Sequence, residues 1–476
     1  MGAETETFWL TRALFQRSMG LLYLVAFLAA LQQFCPLLGE RGLLPVPQFL
    51  KYVKFSQAPS LFFLHYSDRF FTVITAAGVV LSLSAVTGLS ERFGTLCSIG
   101  VWAVLWVLYL SIVNVGQTFY AFGWESMLLE AGFFTIWFGA AKTASPAAVV
   151  WLLRWMLFRV MFGAGLIKLR GDPCWRDFTC LIFHYETQPI PNPLSWYFHH
   201  LPVWFHKAGV GVNHFVELVV PFGLFAPQPI CAVAGVVTML FQGFLIVSGN
   251  FSWLNWLTMA LAFSCFNDAM LSYWIPLRAG VVQPRASAHE VVLWVLAGAV
   301  ALLSVGPIKN IVSPRQLMNY SFNPLHIVNT YGAFGSITRQ RFEIIVEGTR
   351  EAVLTPQTQW AEYEFKAKPG SVGRGPPLVA PYHLRLDWLM WFAAMSDIRH
   401  YPWLYRLAER LLQGDREVLG LLARDPFPDA PPRYVRMRIY RYRFTSPEEK
   451  KATGHWWSRT LAGEYLEPVA LRRTDG

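Results

Sequence analysis

The sequence predicts a multi-pass α-helical membrane domain of about nine spans, followed by a soluble mixed α/β C-terminal domain. Hydrophobic residues make up 54% of the 476 residues and charged residues only 15%, which is too apolar for an ordinary soluble protein. The charges are also unevenly placed. Residues 1–312 hold 17 Lys and Arg and 13 Asp and Glu, whereas the shorter remainder holds 23 and 17. We therefore expect a membrane domain over residues 1–312 and a soluble domain over residues 313–476.

Apolar stretches of about 20 residues, the length needed to cross a bilayer, recur along the first domain. The first, Met19–Leu38, follows Arg12 and Arg17 and has no small-residue cleavage site after it, so we expect it to remain as a signal anchor. The other predicted spans are Phe70–Leu89, Gly94–Val115, Phe119–Ala140, Ala147–Leu169, Val210–Phe225, Ile230–Val247, Phe251–Phe266 and Val291–Ile308.

A polar insert at about residues 170–208 separates the fifth and sixth predicted spans. With a cytoplasmic N-terminus and an odd number of spans, this insert and the C-terminal domain face the same lumenal or periplasmic side. Cys174 and Cys180 both lie in the insert. They can form a disulfide if the compartment is oxidising. Free thiols are the next alternative, and a zinc site is disfavoured because further ligands are not at finger-like spacing.

The soluble domain shows signals for both strands and helices. The predicted strands are Phe342–Glu347, Trp360–Lys366 and Tyr434–Phe444. In the last of these the apolar alternation slips by one residue, which indicates a bulge between Ile439 and Tyr440. One helix is expected to begin at Pro402 and stop at Gly414, and a second to begin at Asp415 and end before the next proline.

Four charged residues lie in the interior of two neighbouring predicted spans, where charge is costly and needs a structural or functional reason. They are Glu125, Glu130, Arg154 and Arg159, and the two members of each like-charged pair are five positions apart. Opposite charges on adjacent helices would neutralise one another and fix the helix packing, which is the structural interpretation. The functional alternative is a polar cavity near one membrane face, lined by these groups and by Asn114, Gln117 and Gln242.

Lys168 is the candidate catalytic residue. It ends the fifth span, and Arg170 adds a second positive charge beside it that would favour the neutral amine. A desolvated lysine can act as a base or nucleophile, whereas a lysine at a helix end also commonly extends towards the membrane surface. His214 and Glu217 lie in the next span. They either join the candidate polar cavity or satisfy hydrogen bonds between helices.

The remaining sequence signals exclude several kinds of site. There is no phosphate-binding glycine loop, nucleophile elbow or zinc protease motif, and we expect neither a cofactor nor a metal. The net charge of +10 suits a lipid bilayer with anionic headgroups, but no basic stretch is dense enough for nucleic acid. Most aromatic residues of the C-terminal domain are expected in its core, with a minority at a protein interface, and the basic residues are expected mostly on solvated surface. No oligomeric state is specified.

Eight segments carry a family resemblance. They are FWLTRALF, RGLLPVPQFL, VNVGQTFYAFGWESMLLEAGFF, GAGLIKLRGDPCWRDFTCLIFHYETQPIPNPLSWYFHH, NHFVELVVPF, LIVSGNFSWLNWLTM, NTYGAFGSITRQRFE and PYHLRLDWLMWFAAM. Together they resemble the lipase maturation factor family over almost the whole chain. The resemblance implies a multi-pass protein of the endoplasmic reticulum membrane, or of the inner membrane if the source is bacterial. It also implies a lumenal C-terminal domain that assists dimeric lipases, such as lipoprotein lipase, to fold, assemble and leave.

A fainter similarity concerns the membrane region of vitamin K-dependent gamma-glutamyl carboxylase. It rests on a span that ends at a lysine and is followed by an acidic loop with a tryptophan, here Lys168, Asp172 and Trp175. The matching lysine of that family is regarded as a catalytic base, so the resemblance implies this role for Lys168. The chain departs from the pattern at Ile167, where a second lysine is absent, and in its soluble region.

Three functional hypotheses follow. The leading one is a folding and assembly factor without enzymatic turnover, in which the membrane domain is an anchor and residues 313–476 bind a partly folded client lipase. The second is a membrane enzyme related to the carboxylase, with its active site between Lys168 and His214. The third is a transporter, which the intramembrane charges would suit and which predicts a continuous polar path.

Overall fold

The computed structural model describes residues 7–276 and 282–471. Within them, seven helices are long and apolar enough to cross a membrane. These are α1 (Trp9–Leu38), α2 (Asp68–Thr87), α3 (Thr95–Val115), α5 (Ala147–Arg170), α6 (Val203–Leu218, continued by a 3₁₀ turn to Phe225), α7 (Ile230–Ser248), and α9 (Ser287–Leu303) with its continuation α10 (Val305–Val312). A multi-pass helical membrane domain is therefore confirmed, with fewer full-length spans than the nine predicted.

Two of the predicted spans form shorter helices, α4 (Gly123–Ile136) and α8 (Leu254–Ala262). The residues just before α4 form a 3₁₀ turn, Gln117–Tyr120, so the apolar run there is longer than its helix. With 14 residues, α4 is roughly 21 Å long at about 1.5 Å per residue, which is less than the hydrocarbon thickness of about 30 Å. Both helices are mostly buried and pack inside the bundle.

Hydrogen bonds show which segments meet where α1 begins. The backbone N–H of Leu10 donates to the carboxylate of Asp268, which follows α8. Arg12 donates to the carbonyl of Ala141, which follows α4. The chain therefore reaches this end of the bundle after each of the two short helices.

The opposite end of the bundle carries the C-terminal domain. Near the end of α1, Gln33 donates to the carbonyl of His383 over 2.7 Å. Arg385 donates to the carbonyl of Phe119, just before α4. In the described part of the chain, nine helical passes thus connect the two ends, and the insert and the C-terminal domain lie at the same end.

The C-terminal domain contains an antiparallel four-stranded sheet in the order β2-β1-β5-β6. Its strands are β1 (Arg341–Thr349), β2 (Ala361–Glu362), β5 (Tyr434–Phe444) and β6 (Trp457–Val469), and a second, two-stranded sheet joins β3 (Glu364–Phe365) to β4 (Leu422–Arg424). Two helices, α11 (Arg385–Ala393) and α12 (Trp403–Leu412), pack with the sheets. The soluble mixed α/β domain is therefore confirmed.

Within this domain, the predicted strand at β5 is confirmed, whereas one predicted helix is wrong in length. The bounds of β5 agree with the predicted strand, and its pairing with β6 shifts register between Ile439 and Tyr440, as the slipped alternation indicated. The helix expected at Asp415 is wrong in length. Asp415 does cap a helix, but that helix ends after four residues because Leu422 already belongs to strand β4.

Residues 313–340 form a connecting segment with neither a helix nor a strand. It packs against the membrane helices before the sheet starts, for example where Gln316 donates to the carbonyl of Gly163 in α5. Three of its non-glycine residues with positive φ are Asn319, Val328 and Phe334. This conformation is unfavourable for most side chains, above all for the β-branched Val328, so tertiary contacts must hold the segment in place.

Candidate functional site

The candidate charged residues divide into separate clusters, and the best matched is a buried pair between α4 and α5. Arg159 forms an ion pair with Glu130, and neither side chain is exposed. The connecting segment completes the cluster, because the backbone N–H of Asn329 and the hydroxyl of Tyr331 both donate to Glu130, over 2.8 and 2.7 Å. The structure therefore brings Glu130 and Arg159 together as a packing contact between helices.

Glu125 and Arg154, in contrast, do not meet. Arg154 donates to the carbonyl of Ser264 over 2.8 Å and lies over the ring of Trp151. The reason is geometric. Glu125 lies five residues before Glu130 on α4, and Arg154 lies five residues before Arg159 on α5. Because the two helices are antiparallel, Glu125 and Arg154 lie towards opposite ends of the bundle.

Glu125 instead belongs to a cluster shared with the C-terminal domain. Arg385 lies 2.7 Å from its carboxylate, and Tyr109 of α3 donates a hydrogen bond to the same carboxylate. The ring of His383 also lies beside it, and all of these side chains are buried. The ion pair joins the start of α4 to α11 of the soluble domain.

Lys168 lies at the insert end of α5 and is 4% exposed. Its amine forms an ion pair with Glu217 of α6 and a 3.2 Å hydrogen bond with Asn213. The amine also lies 5.2 Å from the ring centroid of Trp175. Arg170 points elsewhere and donates to the carbonyl of Ile311 and to Gln316.

His214 sits beside this cluster without joining it. Its Nε2 atom lies 2.9 Å from the carbonyl of Trp175, and its ring contacts the ring of Phe178 edge on. His214 thus attaches the first turn of the insert to α6. In the described residues, no group of three or more His, Cys, Asp or Glu side chains could hold a metal ion.

The two insert cysteines, Cys174 and Cys180, are joined by a disulfide in the structure and packed in a small apolar cluster with Trp175, Val210 and Ile337. The bridge closes the loop between two short helices, Pro173–Arg176 and Cys180–Thr187.

Asp172 precedes this loop and connects it to the segment that leads into the sheet. It accepts hydrogen bonds from Arg339 and from the backbone N–H groups of Cys174 and Ile337. The hydrogen bond from Arg339 is the main reason that the pKa of Asp172 falls to about 2. The carboxylate is therefore ionised at neutral pH and holds the insert to the connecting segment.

A buried charged cluster in β1, which was not among the predicted site residues, anchors the insert. Arg341 donates to the carbonyls of Gln188 and Pro189 over 2.5 and 2.9 Å, and its charge is balanced by Glu343. Lys368 lies 3.0 Å from the same glutamate. The available signal was the pair of opposite charges at Arg341 and Glu343, two residues apart at the start of β1, which places both on one face of the sheet, but the predicted strand began only at Phe342.

Further contacts hold the insert to the end of strand β5. The indole N–H of Trp196 donates to the carbonyl of Thr445 over 2.9 Å, and the amine of Lys450 lies over the same indole. Glu186 accepts a hydrogen bond from the backbone N–H of Phe444. The insert is thus a structural part of the soluble region.

The expected polar cavity is only partly formed by the predicted residues. A cavity of about 100 Å³, the narrow cavity, is lined by Lys168, Glu217 and Gln242 among mostly apolar side chains. Glu125, Glu130, Arg154, Arg159 and His214 do not line it. Asn114 and Gln117 are engaged elsewhere, with the carbonyls of Pro59 and Leu44, so a single polar cavity lined by all of them is wrong.

Comparison with known proteins covers nearly the whole chain. The family model for the lipase maturation factor transmembrane domain matches residues 10–273, and that for the lipase maturation factor C-terminal domain matches residues 327–467. Lipase maturation factor 1 of Homo sapiens is 45% identical over 98% of this chain and 89% of its own length. Lipase maturation factor 2 of Gallus gallus is 29% identical over 97% of this chain and 81% of its own length. No solved structure matches. The chain belongs to the lipase maturation factor family.

Proposed function

We propose that this protein is a membrane-bound maturation factor that assists the folding and assembly of secreted dimeric lipases such as lipoprotein lipase. The observation that carries the proposal is the 45% identity to Lipase maturation factor 1 of Homo sapiens over almost the full length of both chains. The similarity covers both the membrane domain, which serves as the anchor, and the soluble domain.

The architecture supports a scaffold rather than a mobile tether. The soluble domain is attached to the membrane helices through the buried Glu125–Arg385 pair and to the insert through Arg341. Buried ion pairs of this kind hold one arrangement, because breaking one leaves an uncompensated charge. A client bound to the soluble domain would therefore be held at a fixed position relative to the bilayer.

We place the insert and the soluble domain in the endoplasmic reticulum lumen, or in the periplasm for a bacterial source. A disulfide between Cys174 and Cys180 supports this placement, since such bonds persist in oxidising compartments. Trp388, Trp403 and Trp457 are buried and belong to the domain core. We assign client contacts to aromatic side chains of this domain that are not buried.

The enzyme hypothesis has less support. Lys168 is held by Glu217 in a buried ion pair that joins two membrane helices. Nothing in the comparisons supports the carboxylase alternative. The pair explains the presence of a buried lysine without any catalytic role.

The proposal is tested by expression in cells that lack their own lipase maturation factor, with lipoprotein lipase as the client. The measurement is lipase activity in the medium, together with the amount of lipase dimer. Restored secretion of active dimer is the expected result. An abundant, correctly inserted protein that restores none would contradict the proposal.

A further inference from the structure

Two adjoining cavities lie between the membrane helices and the soluble domain. The narrow cavity of about 100 Å³ is bordered by α5, α6, α7 and α8. The wide cavity of about 680 Å³ lies between the insert, the connecting segment and α11. They share walls formed by His184, Leu254, Asn319 and Gly332–Phe334. Together they form one chamber whose size is in the range of small-molecule sites, roughly 300–1,000 Å³.

The walls of this chamber are mainly apolar. Aromatic and long aliphatic side chains line the wide part, among them Trp124, Trp388 and Trp391. The narrow part is lined by Met161, Phe241 and others of the same character. A ligand that fits these walls consists mostly of hydrocarbon.

A few buried polar atoms in the walls have no partner in the described part of the protein. The side-chain amide nitrogen of Asn255, a residue of the narrow part that is 2% exposed, donates to no described atom. The side-chain oxygen of Gln188, a residue of the wide part that is also 2% exposed, accepts from none. Buried polar groups are almost always hydrogen-bonded, so such atoms in a cavity wall point to a ligand that has both an acceptor and a donor.

Lys168 adds a further donor. An ammonium group carries three N–H bonds, and its described hydrogen-bond partners are Glu217 and Asn213. The nearby Gln242 has only the sulfur atom of Met161 at 3.4 Å as a partner for its amide nitrogen. The narrow part therefore offers several donors to an oxygen atom of a ligand.

The chamber carries no net charge. Lys168 and Glu217 are the charged lining residues, and they neutralise each other. Burial, with a smaller contribution from the charge on Lys168, lowers the pKa of His184 to about 4, so its ring is uncharged at neutral pH. An anionic ligand such as a fatty acid would meet no unbalanced positive charge here, and desolvation of its carboxylate would be costly.

From this combination we infer that the chamber binds an uncharged lipid of the acylglycerol class. Its ester carbonyl accepts hydrogen bonds from Asn255 and Lys168, a glycerol hydroxyl donates to Gln188, and the acyl chain lies along the aromatic walls. A sterol offers a hydroxyl but no carbonyl, and a phospholipid adds a charge, so neither fits as well. The inference does not depend on the identity of the client protein.

The test uses the purified full-length chain in phosphatidylcholine nanodiscs. The probe is a monoacylglycerol with a photoreactive diazirine in its acyl chain and a terminal alkyne, and labelled residues are mapped by mass spectrometry. Unlabelled monooleoylglycerol, oleate and cholesterol are added as competitors. We expect labelling on α11, the connecting segment and α8, and displacement by monooleoylglycerol at concentrations about tenfold below those needed for the other two.

Two variants sharpen the test. Ala333→Leu fills the wall shared by both cavities, and Ala208→Leu makes the same change at an exposed position of α6 that lines neither. Asn255→Leu removes the free donor and keeps the number and branching of the side-chain heavy atoms. We expect the first to abolish saturable labelling, the second to leave it unchanged, and the third to weaken competition by about three- to tenfold.

Several results would overturn the inference. One is labelling spread over lipid-facing helices and insensitive to competition. Another is equal competition by oleate, which would show that the site does not select an uncharged head. A third is unchanged labelling in a folded Ala333→Leu variant. If that variant does not fold, competition on the wild-type protein and the Asn255→Leu variant still decide the matter.

Discussion

Arg385 of the soluble domain lies 2.7 Å from Glu125 of the membrane domain, and both side chains are fully buried. Removing one partner leaves an unpaired buried charge, which typically costs about 3–5 kcal/mol. We therefore expect Arg385→Met to lower the thermal unfolding temperature of the purified protein strongly, and the double change Glu125→Gln with Arg385→Met to recover much of it. Arg399→Met is the matched control, because its ion pair with Asp397 is exposed. An Arg385→Met protein as stable as this control would refute the anchoring role.

Substitutions of the Lys168–Glu217 pair distinguish the scaffold hypothesis from the enzyme hypothesis. In a scaffold, Lys168→Met is harmful only because Glu217 remains buried and unpaired, so the double variant Lys168→Met with Glu217→Leu should restore protein level and lipase secretion. In an enzyme that uses Lys168 as base, the double variant would be abundant but inactive. Immunoblots of the membrane fraction and lipase activity in the medium, measured together, distinguish the two.

The insert disulfide should be needed for stability. Closing a loop of this length is worth about 2–3 kcal/mol, so Cys174→Ser should lower the unfolding temperature, and Cys180→Ser should do so to a similar extent. Thiol labelling followed by mass spectrometry supplies the direct check. Both cysteines should resist alkylation in the unfolded protein until a reductant is added. Modification of both before reduction would disprove the bridge.

The lowered pKa of Asp172 predicts that the stability of the protein depends on this residue's charge, and that this contribution is lost only at acidic pH. Its pKa is about 2 in the folded protein, below the unfolded value of about 3.9, so its stabilising contribution is complete above about pH 5 and is lost as the pH falls towards 2. Wild-type protein should exceed Asp172→Asn in unfolding temperature at pH 7, and the difference should shrink between pH 5 and pH 2.5. A difference that is constant with pH would mean that the carboxylate charge is not what matters.

Local patterns predicted local structure well. The strand Tyr434–Phe444 and its shift at Ile439 follow from alternation within one run of residues, and the helix after Pro402 follows from leucine spacing. The four-residue helix after Asp415 shows the limit. A cap marks where a helix begins, but the pairing of Leu422 with Phe365 in another segment decides where it ends.

The candidate site was harder to predict, because its contacts join residues far apart in sequence. Glu130 and Arg159 lie on neighbouring spans, and a rule of charge balance between adjacent helices suffices to bring them together. Glu125 pairs with Arg385, 260 residues later, in a domain whose charges were expected on its surface. Only the tertiary structure reveals that Arg341, Lys368 and Arg385 are buried.

The central claim is that the insert and the soluble domain lie together on the non-cytosolic side of the membrane. Epitope tags can be placed in two exposed loops, after Leu201 in the insert and after Val353 in the soluble domain. Sealed membrane vesicles with their cytosolic face outward are then treated with protease, with and without detergent. The account predicts that both tags survive until detergent is added. Loss of either tag in sealed vesicles would contradict it.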